Sequence, residues 1–202
     1  MCRPLVINSP RYPTNCKPPL GAVRLSDGFY LGDVYASKDP SFIFMNKITH
    51  IINCAGKEIE NEEHTHMREN FGLAGFTGIK FLTFYWLDDD RQLIFDEEDR
   101  VPVEIVKFVD EALDQGTSVL VHSMRGQSRA TVVSILYFME SFQWDLLKTL
   151  EFINSRRPDL EIRANFLQQL QTYTKRKLMP KTKKRYQRSE EWTETILDLP
   201  MY

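Results

Sequence analysis

A segment in the second half of the chain combines a buried strand, a tight turn and the start of a helix. Residues 119–121 are Val-Leu-Val, and residues 122–129 read His-Ser-Met-Arg-Gly-Gln-Ser-Arg. Successive backbone amides of such a turn, together with the N-terminal end of the following helix, converge on one point and favour a dianion there. Gly126 allows close approach of the backbone, and Arg129 can place two parallel hydrogen bonds on phosphate oxygens. The residues predicted to bind phosphate are Ser123, Met124, Arg125, Gly126, Gln127, Ser128 and Arg129.

The same string resembles the His-Cys-x-x-Gly-x-Ser-Arg signature of the dual-specificity protein phosphatases. The resemblance also covers residues 28–33, 48–53 and 108–112, Arg157-Pro158 and Gln169-Leu170. In that family a cysteine thiolate attacks phosphorus, the loop arginine and amides hold the phosphoryl oxygens, and an upstream aspartic acid protonates the leaving oxygen. Water then cleaves the phosphocysteine. The resemblance implies that His122 shapes the loop, that Arg129 is a catalytic residue and that Ser123 stands at the nucleophile position.

Serine at position 123 changes the expected chemistry. An anion-binding loop can lower the pKa of a thiol from about 8.5 by several units, which supplies a thiolate at neutral pH. A hydroxyl starts from a far higher pKa, so the same loop cannot supply an alkoxide. Loss of the thiolate also removes a negative charge that would repel a phosphate dianion. Ser123 therefore predicts phosphate binding without turnover.

An acidic string upstream of the loop supplies the candidate for the general acid. Asp88, Asp89 and Asp90 follow the predicted third strand, and Trp86-Leu87-Asp88 resembles the Trp-Pro-Asp loop of the related tyrosine phosphatases. The resemblance implies that Asp88 is the acid, with Asp89 as its rival, and a solvated acidic turn is the alternative. Ala130 stands where the family has a hydroxyl that helps the thiolate leave, which fits a domain freed from turnover.

The elements that must position this loop follow from hydrophobic periodicity and from capping residues. The pattern predicts a first strand at 28–33, further strands at 48–54, 79–86 and 118–121, and helices from Asp39-Pro40 to Met45 and at 101–115, 130–142, 145–157 and 163–177. This order predicts an α/β fold (α+β by some schemes) with a mixed central sheet of four to five strands flanked by helices. The phosphate loop lies between the last strand and the following helix, as in cysteine phosphatases.

Composition indicates one globular domain with extensions. The 202 residues are 42% hydrophobic and carry a formal net charge of -2, which gives no overall argument for nucleic acid or membrane binding. We predict an irregular arm at 1–22, the phosphatase-like domain at 23–177, and a tail at 178–202 that is basic and then acidic and apolar. The tail could dock on the domain or on a protein partner. We expect a cytoplasmic protein, with the nucleus as a second location, and no cofactor. We also expect no metal, since His64 and His66 have no third ligand.

Three functions remain open from the sequence. The first is a pseudophosphatase that binds phosphorylated protein or peptide, resembling the serine/threonine/tyrosine-interacting members of the family. The second is an active dual-specificity phosphatase in which Ser123 is an engineered substrate-trapping replacement of the catalytic cysteine. The third is an interaction scaffold with a vestigial phosphate site. The sequence predicts neither the phosphorylated residue nor the oligomeric state.

Overall fold

A mixed sheet forms the centre of the computed structural model, which describes residues 21–61, 78–96 and 98–178. Within these residues five strands pair in the order β1-β2-β5-β3-β4. The strands are β1 (Ala22–Ser26), β2 (Phe29–Gly32), β3 (Ile48–Asn53), β4 (Lys80–Thr83) and β5 (Ser118–His122). β1 is antiparallel to β2, and the other three pairings are parallel. The predicted fold class is confirmed.

Helices cover the sheet, and the one that follows β5 is almost wholly buried. They are α1 (Val34–Lys38), α2 (Pro40–Met45), α3 (Arg100–Asp114), α4 (Arg129–Phe142), α5 (Leu146–Arg156) and α6 (Ala164–Leu178). Every residue of β5 is buried, as are residues 129–139 of α4. The core packs between the sheet and this helix, so β5 and α4 fix the loop between them to the most rigid part of the domain.

Three differences from the sequence prediction concern the N-terminal half. The predicted first strand is the second strand, because Ala22–Ser26 forms an antiparallel hairpin with it through the two-residue turn Asp27-Gly28. The helix α1 was not predicted; Asp33 caps it by accepting hydrogen bonds from the amides of Tyr35 and Ala36. The predicted strand at 79–86 ends at Thr83, and the Trp86 carbonyl accepts a hydrogen bond from Arg129 instead of a strand neighbour.

Several predictions concern residues outside the described ranges. They are the arm up to residue 20, the greater part of the polar loop at 56–76 with His64 and His66, and the tail beyond residue 178. Ala22 already belongs to β1, one residue before the predicted start of the domain at residue 23. None of the helices in the described ranges is long and apolar enough to cross a membrane.

Candidate phosphate-binding site

The loop predicted to bind phosphate lies at the carboxyl end of β5 and opens into a cleft. The cleft has a volume of about 280 Å³. Its lining residues are Asp88, Ser123, Met124, Arg125, Gln127, Ser128, Arg129, Glu161 and Arg163. At its inner end the Gly126 amide donates a hydrogen bond to Ser123 Oγ over 3.1 Å. The loop therefore turns back on the hydroxyl at the nucleophile position, and the N-terminus of α4 follows directly.

A buried arginine supports the loop from beneath. Arg157 is 1% exposed, its Nη2 donates to the Arg125 carbonyl over 3.0 Å, and its Nε donates to Asp159 Oδ1 over 3.3 Å. The Val34 amide donates to the Met124 carbonyl over 3.4 Å. The two bonds to the Arg125 and Met124 carbonyls orient the peptide units of the loop from outside the cleft. Sequence reasoning identified Arg157 as a helix boundary and missed this supporting contact.

Replacing Gly126 by alanine is expected to weaken both folding and phosphate binding. Gly126 has a φ of +67°, and a Cβ atom there would lie 2.4 Å from the Gly32 carbonyl oxygen. The left-handed conformation and the clash together should lower the free energy of unfolding by about 3 kcal/mol. Urea unfolding and phosphate binding measured on the same variant check this.

Gly116 provides a matched control for that substitution. It has the same φ of +67°, but a Cβ atom there would meet no described atom within 4 Å. Gly116→Ala should therefore show the conformational cost alone, about 1 kcal/mol, and leave phosphate binding unchanged. Equal losses of stability from the two substitutions would contradict the assigned close contact.

Arg129 is held in place by two partners on different elements. Its side chain is 3% exposed, Nη1 donates to the Trp86 carbonyl over 2.9 Å, and Nη2 donates to Glu58 Oε2 over 2.8 Å. A guanidinium has five N–H donors, so donors remain for a ligand in the cleft that Arg129 lines. Glu58 lies in the polar loop after β3, and nothing in the local sequence indicated its role.

The structure brings Asp88 into the cleft, whereas Asp89 is not among the lining residues. Asp88 Oδ1 lies 2.6 Å from Arg163 Nε, and Asp90 Oδ1 lies 3.5 Å from Arg163 Nη1. The hydrogen bond that Arg163 donates to Asp88 is the main cause that raises the pKa of the Arg163 guanidinium. Asp89 instead accepts a hydrogen bond from the Arg91 amide. The role of Asp88 as a general acid stays a prediction.

The arginines that line the cleft all have acidic partners. Besides the pairs of Arg129 with Glu58 and of Arg163 with Asp88, Arg125 lies 3.3 Å from Glu161. The charged side chains therefore nearly compensate one another. For an anion in the cleft, the loop amides and the N-terminus of α4 would supply uncompensated positive charge, and the arginines would supply orienting hydrogen-bond donors.

His122, the last residue of β5, is expected to make the protein less stable in acid. The residue is 2% exposed, and no described atom is a hydrogen-bond partner of Nδ1. Burial, assisted by the positive charge of Lys38, lowers the pKa of His122 from 6.5 to about 4. The unfolded chain then binds a proton that the folded chain excludes, so stability is lost as the pH falls from 6.5 towards 4.

This effect should cost about 2 kcal/mol of unfolding free energy between neutral pH and about pH 5. Urea unfolding of the wild type and of His122→Gln across this range measures it. Burial also lowers the pKa of His50, so His50 contributes in the same direction and remains in both proteins. An identical pH dependence in the two proteins would contradict the assignment to His122.

Cys54 lies beside the site without being available to it. The residue is 0% exposed and directly follows β3. Burial raises the pKa of its thiol well above the ordinary range, against the opposing charge of Arg129. A buried neutral thiol is inert as a nucleophile, so Cys54 does not replace the cysteine that position 123 lacks.

Comparison with known proteins defines the family. Residues 29–176 match the family described as dual specificity phosphatase, catalytic domain. The chain therefore belongs to the dual-specificity phosphatase catalytic-domain family. It is 29% identical over 171 residues to protein phosphatase Slingshot of Drosophila melanogaster, a match that covers 84% of this chain and only 15% of that protein. The chain thus corresponds to a small part of that relative.

Solved structures share the fold at lower sequence identity. The crystal structure of human DUSP28 has a TM-score of 0.62 and 22% identity, over 79% of this chain and 95% of that one. The human tyrosine phosphatase-like serine/threonine/tyrosine-interacting protein has a TM-score of 0.60 and 23% identity, over 76% of this chain and 95% of that one. These likenesses show the architecture of the domain.

Proposed function

We propose that this chain binds phosphorylated protein or peptide in the cleft and does not hydrolyse it. The observation that carries the proposal is the hydroxyl of Ser123, which occupies the nucleophile position of an otherwise complete phosphate loop and accepts a hydrogen bond from the Gly126 amide. The amide that would stabilise a thiolate thus stabilises a neutral hydroxyl. Binding groups are retained and the reactive group is absent.

Activation of Ser123 would require a base within hydrogen-bond reach of Oγ. Among the described residues, the hydrogen bond at Ser123 Oγ comes from a backbone amide, and no carboxylate or imidazole is bonded to it. The two carboxylates that line the cleft, Asp88 and Glu161, are paired with arginines. This arrangement supports binding without turnover.

The alternative of an active phosphatase is supported by the completeness of the loop and by relatives such as Slingshot, which is named a protein phosphatase. In that case serine replaces a natural cysteine, and the codon at position 123 of the gene decides between the two. Ala130, which lacks the hydroxyl expected from the family, is a second departure and favours a natural binding module.

A comparison of phosphorylated and unphosphorylated forms of one fluorescent peptide tests the binding function. Anisotropy titrations with phosphotyrosyl and phosphothreonyl versions should show binding to at least one of them and weaker binding to the unphosphorylated peptide by about 100-fold, the loss of several charge-assisted hydrogen bonds. Equal affinity for all forms would contradict the proposal and favour a scaffold with a vestigial phosphate site.

A further inference from the structure

The carboxylates that line the cleft are bonded to arginines. Asp88 and Arg163 lie 2.6 Å apart, with side chains 38% and 39% exposed. Glu161 and Arg125 lie 3.3 Å apart at a more exposed position, with side chains 67% and 72% exposed. Asp88 is therefore less exposed to solvent than Glu161. Its ion pair with Arg163 is also shorter than the ion pair of Glu161 with Arg125.

Several hydrogen bonds fix the segment that carries Asp88 to the beginning of α6, next to Arg163. Asn165 Nδ2 donates to the Asp89 carbonyl over 3.1 Å, and Gln169 Nε2 donates to the Gln92 carbonyl over 2.9 Å. The Ile94 amide donates to Gln169 Oε1 over 2.8 Å. Because both partners of the ion pair belong to segments that are themselves bonded together, the pair is preorganised.

Cleavage of a phosphate monoester with a poor leaving group depends on a proton donor near the ester oxygen. As a nucleophile forms its bond to phosphorus, the bond from phosphorus to the ester oxygen breaks and the electron pair goes to that oxygen. A poor leaving group needs a proton at that moment, whereas a nitrophenolate leaves without one. A carboxyl oxygen that already accepts a hydrogen bond from a guanidinium is not free to donate one to the leaving oxygen.

We propose that Arg163 is a positioning residue that engages the carboxyl group of Asp88 in an ion pair and so keeps it from serving the leaving oxygen as a proton donor. This inference rests on the proposed function, because it gives the absence of turnover a second cause that is independent of Ser123. Restoring the nucleophile alone would then give an enzyme limited to esters with good leaving groups.

The test uses the Ser123→Cys variant of the full chain and two substrates, p-nitrophenyl phosphate and phenyl phosphate. Adding Arg163→Gln should raise kcat/KM for phenyl phosphate by about 100-fold, the lower end of the range for general acid catalysis, and change kcat/KM for p-nitrophenyl phosphate little. Adding Asp88→Asn as well should abolish the gain.

Two matched variants control for charge. Arg163→Lys keeps a cation beside Asp88 and should reproduce the ratio of the two substrates shown by the parent. Arg176→Gln removes an arginine of similar exposure that is paired with Asp99 over 2.8 Å and does not line the cleft, and it should not change that ratio. An unchanged ratio in Arg163→Gln would overturn the proposal. A gain that survives Asp88→Asn would also overturn it.

A second measurement decides the case in which Ser123→Cys hydrolyses neither substrate. Asp88→Asn, Arg163→Gln and the double variant, made in the unaltered chain, should shift the urea midpoint non-additively because the pair is coupled. Additive shifts would overturn the ion pair. Hydrolysis by the unaltered chain that depends on Arg129 would instead refute the proposed function, so the two failures are distinguishable.

Discussion

Replacing Ser123 by cysteine is expected to give the chain turnover of p-nitrophenyl phosphate where the unaltered chain has none. The Gly126 amide that donates to Ser123 Oγ over 3.1 Å would donate to a thiolate, and the N-terminus of α4 favours the same charge. A thiolate present at neutral pH attacks phosphorus, and nitrophenolate departs without a proton. Release of nitrophenolate measures the effect.

Two further variants make this result specific. Ser123→Ala should bind phosphate and remain inactive, and the double variant Ser123→Cys, Arg129→Lys should lose most of the restored activity. A Ser123→Cys protein that is folded and binds phosphate but hydrolyses nothing would mean that the departures from an active enzyme extend beyond position 123. The binding function would then stand, but the loop would be shown not to support catalysis even with a cysteine.

The substitution Arg129→Lys is expected to weaken phosphate binding by about 100-fold or more, through loss of two charge-assisted hydrogen bonds. The guanidinium spans the Trp86 carbonyl at 2.9 Å and Glu58 at 2.8 Å while lining the cleft. An ammonium group keeps the charge but lacks the planar array of donors of a guanidinium, so it cannot bind the Trp86 carbonyl, Glu58 and a ligand at the same time. Calorimetric titration with a phosphopeptide measures the loss.

Arg125→Lys is the matched control, because Arg125 lies in the same loop with its side chain 72% exposed. It should change affinity by less than about threefold, as expected of an exposed ion pair. Urea unfolding of both variants shows whether the domain remains folded. Similar affinities for the two variants would contradict the assignment of Arg129 as the principal phosphate-binding side chain.

The loop could be located from the sequence because its requirements are local. A buried apolar strand, Gly126 and Arg129 lie within a few residues of one another, and each has a chemical role that its type reveals. The fold class followed from the order of periodic segments. The structure then places Asp88 at the same cleft, after β4, a parallel strand that is separated from β5 by β3.

The partners that hold the site could not be predicted, because they are distant in the chain and have no distinctive local pattern. Glu58 is 71 residues from Arg129, and Arg163 is 75 residues from Asp88. Arg157 is a charged residue in a place where local sequence favours a solvated helix end, yet it is buried beneath the loop. Such pairings depend on tertiary packing.

The strand β1 was not predicted, although the local sequence does contain a signal for it. Asp-Gly is a sequence signal of a two-residue hairpin turn, and Gly28 in this turn has a positive φ of +73°. The proximity of β1 to the proline-rich arm obscured it. The supporting role of β1 is small for the site, which depends on β5, β3 and the helices.

The most direct test of the central claim is a single-turnover measurement on the unaltered chain. The chain is placed in excess over a phosphopeptide that it binds, and inorganic phosphate is measured over several hours. We predict that the peptide remains bound and phosphorylated, with no release above that of Arg129→Lys. Release of phosphate that Arg129→Lys abolishes would show that Ser123 supports catalysis, and would contradict the account.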